Sequence, residues 1–321
     1  MTQRIQTRTL PADAKGIAEA AAVLAAGELV AMPTETVYGL AGDARNGRAV
    51  AAIYAAKGRP SFNPLIVHLP DLTAVARHAR LSEPALALAQ AFWPGALTLV
   101  LPLREDAGIA GLVTAGLDTV AIRVPAHPAA RALLEAFGGP LAAPSANPSG
   151  RISPTRAEHV LDPETGLGGR IAAVLDAGPC GVGLESTIIG WQGDQPLLLR
   201  PGGIAAERIE AVLGQPLARG AADPGQPTAP GQLSSHYAPR APLRLDAMQP
   251  EGDEVMIGFG PVPGRFTLSA GGDLTEAAAQ LFDLLRQADA LGRPIAVAPV
   301  PQTGLGLAIN DRLRRAAAPR G

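Results

Sequence analysis

Leu29-Val30-Ala31-Met32-Pro33-Thr34-Glu35-Thr36-Val37-Tyr38-Gly39-Leu40 is the stretch that decides the fold of this chain. Four apolar residues, too few for a helix, run straight into a proline and three polar side chains. A short apolar run bounded by a breaker reads as a buried strand ending at a polar loop. Upstream, residues 16–26 are alanine-rich with helical periodicity. Downstream, 47–56 read as a second helix and 64–69 as a second strand. Helix and strand patterns therefore alternate around this segment, as in an α/β domain. Farther out, 97–101 and 119–124 are strand-like, 128–137 is helical, and 141–143, 173–176, 186–190 and 196–199 are short strands. Some strands follow one another without a helix between them, so the sheet is expected to be of mixed direction.

The 321 residues are enough for two domains. With 47% apolar and 17% charged residues, there is ample material for real cores. A net charge of -2 argues against a wholesale nucleic-acid binder. Residues 1–205 carry 16 Lys and Arg against 17 Asp and Glu, so this larger part is not basic either. The single cysteine, Cys180, permits no intrachain disulfide and no cysteine-based metal site, and the five histidines lack zinc spacing. Residues 1–10 are polar, without the apolar core of a signal peptide. The most apolar stretch, 85–103, is interrupted by Trp93-Pro94-Gly95, so no membrane span is expected. A cytoplasmic enzyme is the expectation.

Composition shifts after residue 213. Glycine and proline crowd 214–232, which reads as a semi-rigid linker. The boundaries expected are 1–213 for the first domain, 214–241 for the linker and 242–321 for a second, smaller α/β domain. In the last, 243–246, 255–259 and 295–299 read as strands and 275–291 and 305–316 as helices. Three glycine patterns fail as nucleotide loops. Gly42 to Ala49 has phosphate-loop glycine spacing without the required Lys and Ser/Thr, and reads as a turn before a helix. Gly181-Val182-Gly183 has Ser186 where a third glycine belongs, and Gly304-Leu305-Gly306 also lacks one. No Gly-x-Ser-x-Gly elbow occurs, and Cys180 has no histidine nearby in sequence.

Four polar segments sit at the ends of apolar strands, where open α/β sheets collect ligands. They are Pro33 to Leu40, Lys57-Gly58-Arg59-Pro60-Ser61-Phe62-Asn63-Pro64-Leu65, Pro144-Ser145-Ala146-Asn147-Pro148-Ser149-Gly150 and Glu185-Ser186-Thr187-Ile188-Ile189. Each has an ordinary structural reading beside the functional one. Thr34 can cap a turn, and Ser145 and Asn147 can bond their own backbone. Lys57 and Arg59 can be a solvated cationic helix end. One compositional fact favours function for Lys57: only it and Lys15 are lysines, against 25 arginines. A lysine that persists in such a background is suspected of a task arginine cannot perform.

Together and in this order, the four segments resemble the hallmark motifs of the YrdC-like domain of threonylcarbamoyl-AMP synthases. Asp118-Thr119-Val120-Ala121-Ile122-Arg123-Val124-Pro125 and Arg200-Pro201-Gly202-Gly203 extend the match. Pro230-Gly231-Gln232-Leu233-Ser234-Ser235-His236-Tyr237-Ala238-Pro239 and Ala308-Ile309-Asn310-Asp311-Arg312-Leu313 resemble the linker and C-terminal domain of the family's long form. The resemblance implies a twisted mixed sheet with an open cleft, followed by a smaller Rossmann-like domain. It implies formation of threonylcarbamoyl-AMP and pyrophosphate from L-threonine, bicarbonate and ATP, for N6-threonylcarbamoyladenosine in tRNA. Magnesium is expected with ATP and no prosthetic group, and proteins that transfer the threonylcarbamoyl group to tRNA are the expected downstream partners.

Residue by residue, the resemblance implies catalytic roles for Lys57 and Arg59. It puts Thr36, His68, Arg123 and Ser186 around L-threonine. Arg59, Asn63, Thr119, Ser145, Asn147, Ser153, Arg200 and Tyr237 fall to ATP, with Tyr237 covering the cleft from the linker. No metal ligand is assigned; Glu35 is an acidic candidate that also reads as a helix-start carboxylate. Other readings remain for His68 as a structural histidine and Tyr237 as a packed tyrosine. Direct RNA binding through Arg45, Arg48, Lys57, Arg59, Arg151 and Arg156 is an alternative that the charge balance and 3% aromatic content disfavour. A carbamoyl-transfer domain of a hydrogenase maturation protein is excluded by the lack of cysteine-rich modules.

Overall fold

The computed structural model describes residues 6–219 and 236–319. Pro230 to Ser235, on which part of the linker resemblance rests, lie outside the described residues. The first domain opens with β1 (Arg8–Pro11), α1 (Ala14–Ala25), β2 (Val30–Met32), β3 (Gly39–Asp43), α2 (Gly47–Lys57) and β4 (Ile66–His68). It continues through α3 (Leu72–His78), α4 (Glu83–Phe92), β5 (Leu97–Pro102), α5 (Gly111–Thr114), β6 (Thr119–Arg123), α6 (Pro128–Phe137) and β7 (Leu141–Ala142). It closes with α7 (Ala157–Leu161), β8 (Ala173–Asp176), β9 (Thr187–Gln192), β10 (Gln195–Arg200), α8 (Ala206–Leu213) and β11 (Ala218–Arg219).

These strands form one 11-stranded sheet in the order β1-β8-β2-β3-β7-β4-β6-β5-β9-β10-β11. Its direction is mixed, as expected: β4 and β6 run parallel, while β2 and β3, and β5 and β6, are antiparallel. The parallel pairing of β11 with β10 carries this sheet to Arg219, past the boundary expected at 213. That two-residue pairing rests on tertiary contact, and its glycine- and proline-rich surroundings mask it in sequence.

Local chemistry explains the ends of the key helix. The Asn46 side chain accepts from the Arg48 and Ala49 amides at the start of α2, satisfying donors that the helix leaves free. Gly58 ends it in the left-handed region, φ 61°, which glycine adopts without a Cβ clash. Lys57 and Arg59 therefore flank a sharp change of chain direction. On one flank, Leu24, Val30, Met32, Leu133 and Leu141 form an apolar core between α1, α6 and the sheet.

The second domain contains β12 (Leu243–Arg244), β13 (Val255–Gly258), β14 (Phe266–Thr267), α9 (Leu274–Asp289), β15 (Ile295–Val297) and α10 (Gly306–Ala317). Its sheet order is β12-β15-β13-β14 with parallel pairings throughout, as a Rossmann-like unit requires. Ala277, Ala278, Leu281, Phe282, Leu285 and Ala288 line the buried face of α9 at helical spacing. The two domains meet along α9. Asp283 takes Arg156 at 3.4 Å and His159 at 3.2 Å, and Phe282 stacks on Tyr237 with centroids 5.5 Å apart. No helix among the described residues is long and apolar enough to cross a membrane.

Candidate active site

Strand register assembles one wall of a cavity. His68 and Arg123 are partners on the parallel strands β4 and β6, and Ile66 and Ala121 are partners two residues earlier. Side chains two apart leave the same face of a strand. His68 and Arg123 thus rise from one face, over an apolar floor of Ile66, Ala121 and Ile188. The loop after β2 supplies the opposite side. There the Thr34 hydroxyl lies 2.8 Å from the Thr36 hydroxyl and accepts from the Val37 amide, fixing a tight polar turn.

Arg123 ties the two together. Its Nη1 donates to Thr36 Oγ1 at 2.7 Å, Nη2 to Glu35 Oε1 at 2.6 Å and Nε to the Gly95 carbonyl at 3.1 Å. Burial works to raise the Glu35 carboxyl, but Arg123 and the Ala126 amide prevail and hold it below the usual carboxylate range. His68 is pushed down to about 3 by burial, with Arg123 adding to the effect, so its ring is neutral at physiological pH. Its Nδ1 is buried without a hydrogen-bond partner among the described residues. A buried polar atom in that state is available to a ligand.

The other end of the cavity is cationic. Arg59 donates through Nε to Asn63 O at 3.2 Å and through Nη2 to Pro64 O at 2.9 Å. Burial brings its pKa down to about 10, leaving it charged at neutral pH. Arg200 grips Ser186, with Nη2 at 2.9 Å from the backbone oxygen and 3.2 Å from the hydroxyl, and Ser186 Oγ lies 2.6 Å from Thr98 Oγ1. Tyr237 closes this end and is 1% exposed. The free volume left is about 50 Å³. Ligand pockets for nucleotide-sized molecules run to hundreds of Å³. The cavity is therefore a nearly filled slot in this state, narrower than the open cleft anticipated.

Thr36, Arg59, His68, Arg123, Ser145, Ser186, Arg200 and Tyr237 all line this cavity. The remaining candidates stand behind or apart from it. Lys57, 3% exposed, points under the Pro144–Pro148 loop and donates from Nζ to Ser145 O and Asn147 O, both at 2.6 Å. Burial and the nearby Arg59 lower its pKa well below that of an ordinary lysine. Asn147 spans the same loop, Nδ2 donating to Pro148 O and Arg151 O at 2.8 Å. Its Oδ1, and both polar side-chain atoms of Asn63, are buried without partners among the described residues. Ser153 donates to Glu185 Oε1 at 2.5 Å. Thr119 sits at the far end of β6 and lines a separate surface groove with Leu197 and Leu199.

Sequence reasoning assigned no role to Glu185, His236 and Arg312. Glu185 lines the cavity and lies between Ser153 and Arg312, whose Nε donates to its Oε2 at 2.8 Å. Burial raises the Glu185 carboxyl, and Arg312, Arg200 and the Ser153 hydroxyl outweigh that and keep it below the usual range. His236 lies against Tyr237 with ring centroids 4.1 Å apart. The signal for Arg312 was its place on α10: it is three residues after Ile309 and four after Ala308, on the apolar stripe. Cys180 is buried, and burial pushes its thiol up to about 12, so it is no nucleophile at neutral pH. Among the described residues no cluster of His, Cys, Asp and Glu is arranged to hold a metal.

Comparison with known proteins supplies independent findings. Residues 22–202 match the Sua5/YciO/YrdC family, whose description is telomere recombination. Residues 204–318 match the threonylcarbamoyl-AMP synthase C-terminal domain. The threonylcarbamoyl-AMP synthase of Bacillus subtilis is 46% identical over 95% of this chain and 93% of its own length. That of Pyrococcus abyssi is 41% identical over 92% of both. The crystal structure of P. abyssi Sua5 complexed with L-threonine superposes with a TM-score of 0.87, at 38% identity over 97% of each chain.

Proposed function

The chain belongs to the two-domain threonylcarbamoyl-AMP synthase family, and from that premise we propose how its buried cluster makes threonylcarbamoyl-AMP and pyrophosphate from L-threonine, bicarbonate and ATP. The enzyme acts in the cytoplasm, and its product passes to proteins that transfer the threonylcarbamoyl group to tRNA. The observation that carries the reading is the division of one cavity into two ends. Arg123, Thr36 and neutral His68 form one group in its lining, and Arg59, Arg200 and Tyr237 form another.

The first end suits an amino acid. Arg123, already oriented by Glu35 and Thr36, presents a planar fork for the L-threonine carboxylate. Ser186 and the free Nδ1 of His68 take the substrate's hydroxyl or amine. The amine condenses with bicarbonate to a carbamate and water. A carbamate oxygen then attacks the α-phosphorus of ATP, and pyrophosphate leaves with the electrons of the broken P–O bond. Such chemistry needs alignment and cations where charge gathers, with little covalent help.

Arg59, Arg200 and Ser145 serve the phosphates, and Asn63 and Asn147 back that end from behind the lining. Ser153 acts through Glu185, and Thr119, on its separate groove, takes no part in this reading. Lys57 works from beneath. By donating to Ser145 O and Asn147 O it holds the loop in place beside the slot. Both cavity-side carboxylates are engaged, Glu35 with Arg123 and Glu185 with Arg312. Magnesium, where it accompanies ATP, would be held by the phosphates and its waters and would neutralise charge there, since Glu35 and Glu185 are both already ion-paired. Tyr237, with His236 beside it, covers the nucleotide end from the linker.

Purified protein is expected to release pyrophosphate from ATP only with both L-threonine and bicarbonate present. Equal release without threonine sinks the reading. Lys57→Ala and Arg59→Ala are each expected to depress turnover at least about tenfold while the protein stays folded. Near-normal turnover in either variant removes that residue from the mechanism.

A further inference from the structure

Helix α10 sends one side chain across the domain boundary. Arg312 is 0% exposed. Its Nε donates to Glu185 Oε2 at 2.8 Å and Nη1 to Asp311 Oδ2 at 2.7 Å. Nη2 has no hydrogen-bond partner among the described residues. The guanidinium carbon stands 5.1 Å from the centroid of the Tyr237 ring, within cation–π range. Arg312 thus grips two side chains that both wall the cavity, one from the first domain and one from the linker.

Adhesion between domains does not call for this arrangement. Taking a guanidinium and a carboxylate wholly out of water is costly, and apolar replacements of similar volume often serve stability as well. The interface already has apolar and polar anchors elsewhere, in Phe282 on Tyr237 and in Asp283 with Arg156 and His159. Those contacts hold the domains together. Arg312 adds orientation. With Ser153 on Oε1 and Arg312 on Oε2, both oxygens of the Glu185 carboxylate are fixed. The position of the nucleotide-end wall therefore depends on a residue 127 positions away from Glu185 in the chain.

We propose that Arg312 is a positioning residue for the nucleotide end of the cavity, so that ATP use requires the second domain to be seated on the first. The proposal rests on the assignment of that end to ATP. Glu185 and Tyr237 are the parts it sets; Arg123, Thr36 and His68 lie outside its reach.

The test uses the full chain with Arg312→Lys, which keeps the charge and loses the planar fork, and the double variant Glu185→Gln/Arg312→Met, which leaves no lone buried charge. ATP and L-threonine binding are each measured by calorimetry, beside pyrophosphate release and thermal unfolding. Arg312→Lys is expected to weaken ATP binding and raise the KM for ATP at least about tenfold, with L-threonine affinity within about twofold and folding retained. The double variant is expected to show the same selective loss. ATP affinity and KM unchanged in a folded variant overturn the proposal, as does equal loss of both substrates. A wild-type chain that binds ATP but releases no threonine-dependent pyrophosphate defeats the proposed reaction instead, and the ATP-binding comparison still decides the role of Arg312.

Discussion

His68 and His236 are buried imidazoles kept neutral by their surroundings, and this gives the protein a dependence on acid that can be read in sign and range. Burial takes His68 to about 3, and burial with the cations Arg59, Lys57, Arg312 and Arg200 takes His236 well below its ordinary value. His127 is lowered too, chiefly by burial. In the unfolded chain each titrates near 6.5. As pH falls through about 6.5, the unfolded state takes up protons that the folded state refuses, so stability falls and continues to fall toward the folded pKa. Glu35 and Glu185 work on a lower window, because their folded values lie below 4.5. The denaturant midpoint is therefore expected to drop between pH 6.5 and 5, where the stabilisation from these carboxylates is still in place and adds no slope. His68→Gln and His236→Gln should each flatten that branch. A wild-type midpoint constant from pH 7 to 5 contradicts the account.

At the scale of elements, apolar runs were legible and glycine-bearing ones were not. Residues 128–137 and 173–176 coincide in sequence and structure, since periodicity and a bounded apolar run are local properties. Strand β3, Gly39–Asp43, escaped because its two glycines disfavour strand. They are there for space: a Cβ on Gly39 would sit 3.3 Å from Ala143 Cβ, and one on Gly42 3.0 Å from Leu29 Cδ2. The linear part of the site was legible for the same local reason, as polar loops ending apolar strands. The coupling of Glu185 to Arg312 was not, because it depends on docking two domains. Gly183, whose pattern failed as a nucleotide fingerprint, belongs to that docking. It has φ 72°, and a Cβ would meet Ala278 O at 2.4 Å and Ala279 Cα at 2.5 Å on α9. Gly183→Ala is expected to cost about 1–3 kcal/mol by denaturant unfolding and to lower turnover, because the same loop carries Glu185. A variant as stable and active as the wild type would show that α9 shifts freely.

Over the whole molecule, the cavity is lined by the first domain and the linker, and the second domain is stitched to the first through Asp283 on α9 and Arg312 on α10. Turnover under mild denaturant should therefore be lost with the seating of the second domain and not only with global unfolding. The interior placement of Lys57 has a practical corollary. Lys15 is exposed on α1 while Lys57 is sealed beneath the Ser145–Asn147 loop, and the chain has no other lysine. Acylating reagents at neutral pH should thus find one side-chain amine on the native surface, and intact-mass analysis should show Lys15 modified with Lys57 spared until the fold opens. The protein offers itself for attachment to a surface or a dye through a single lysine, on the outer helix, with its chemistry untouched.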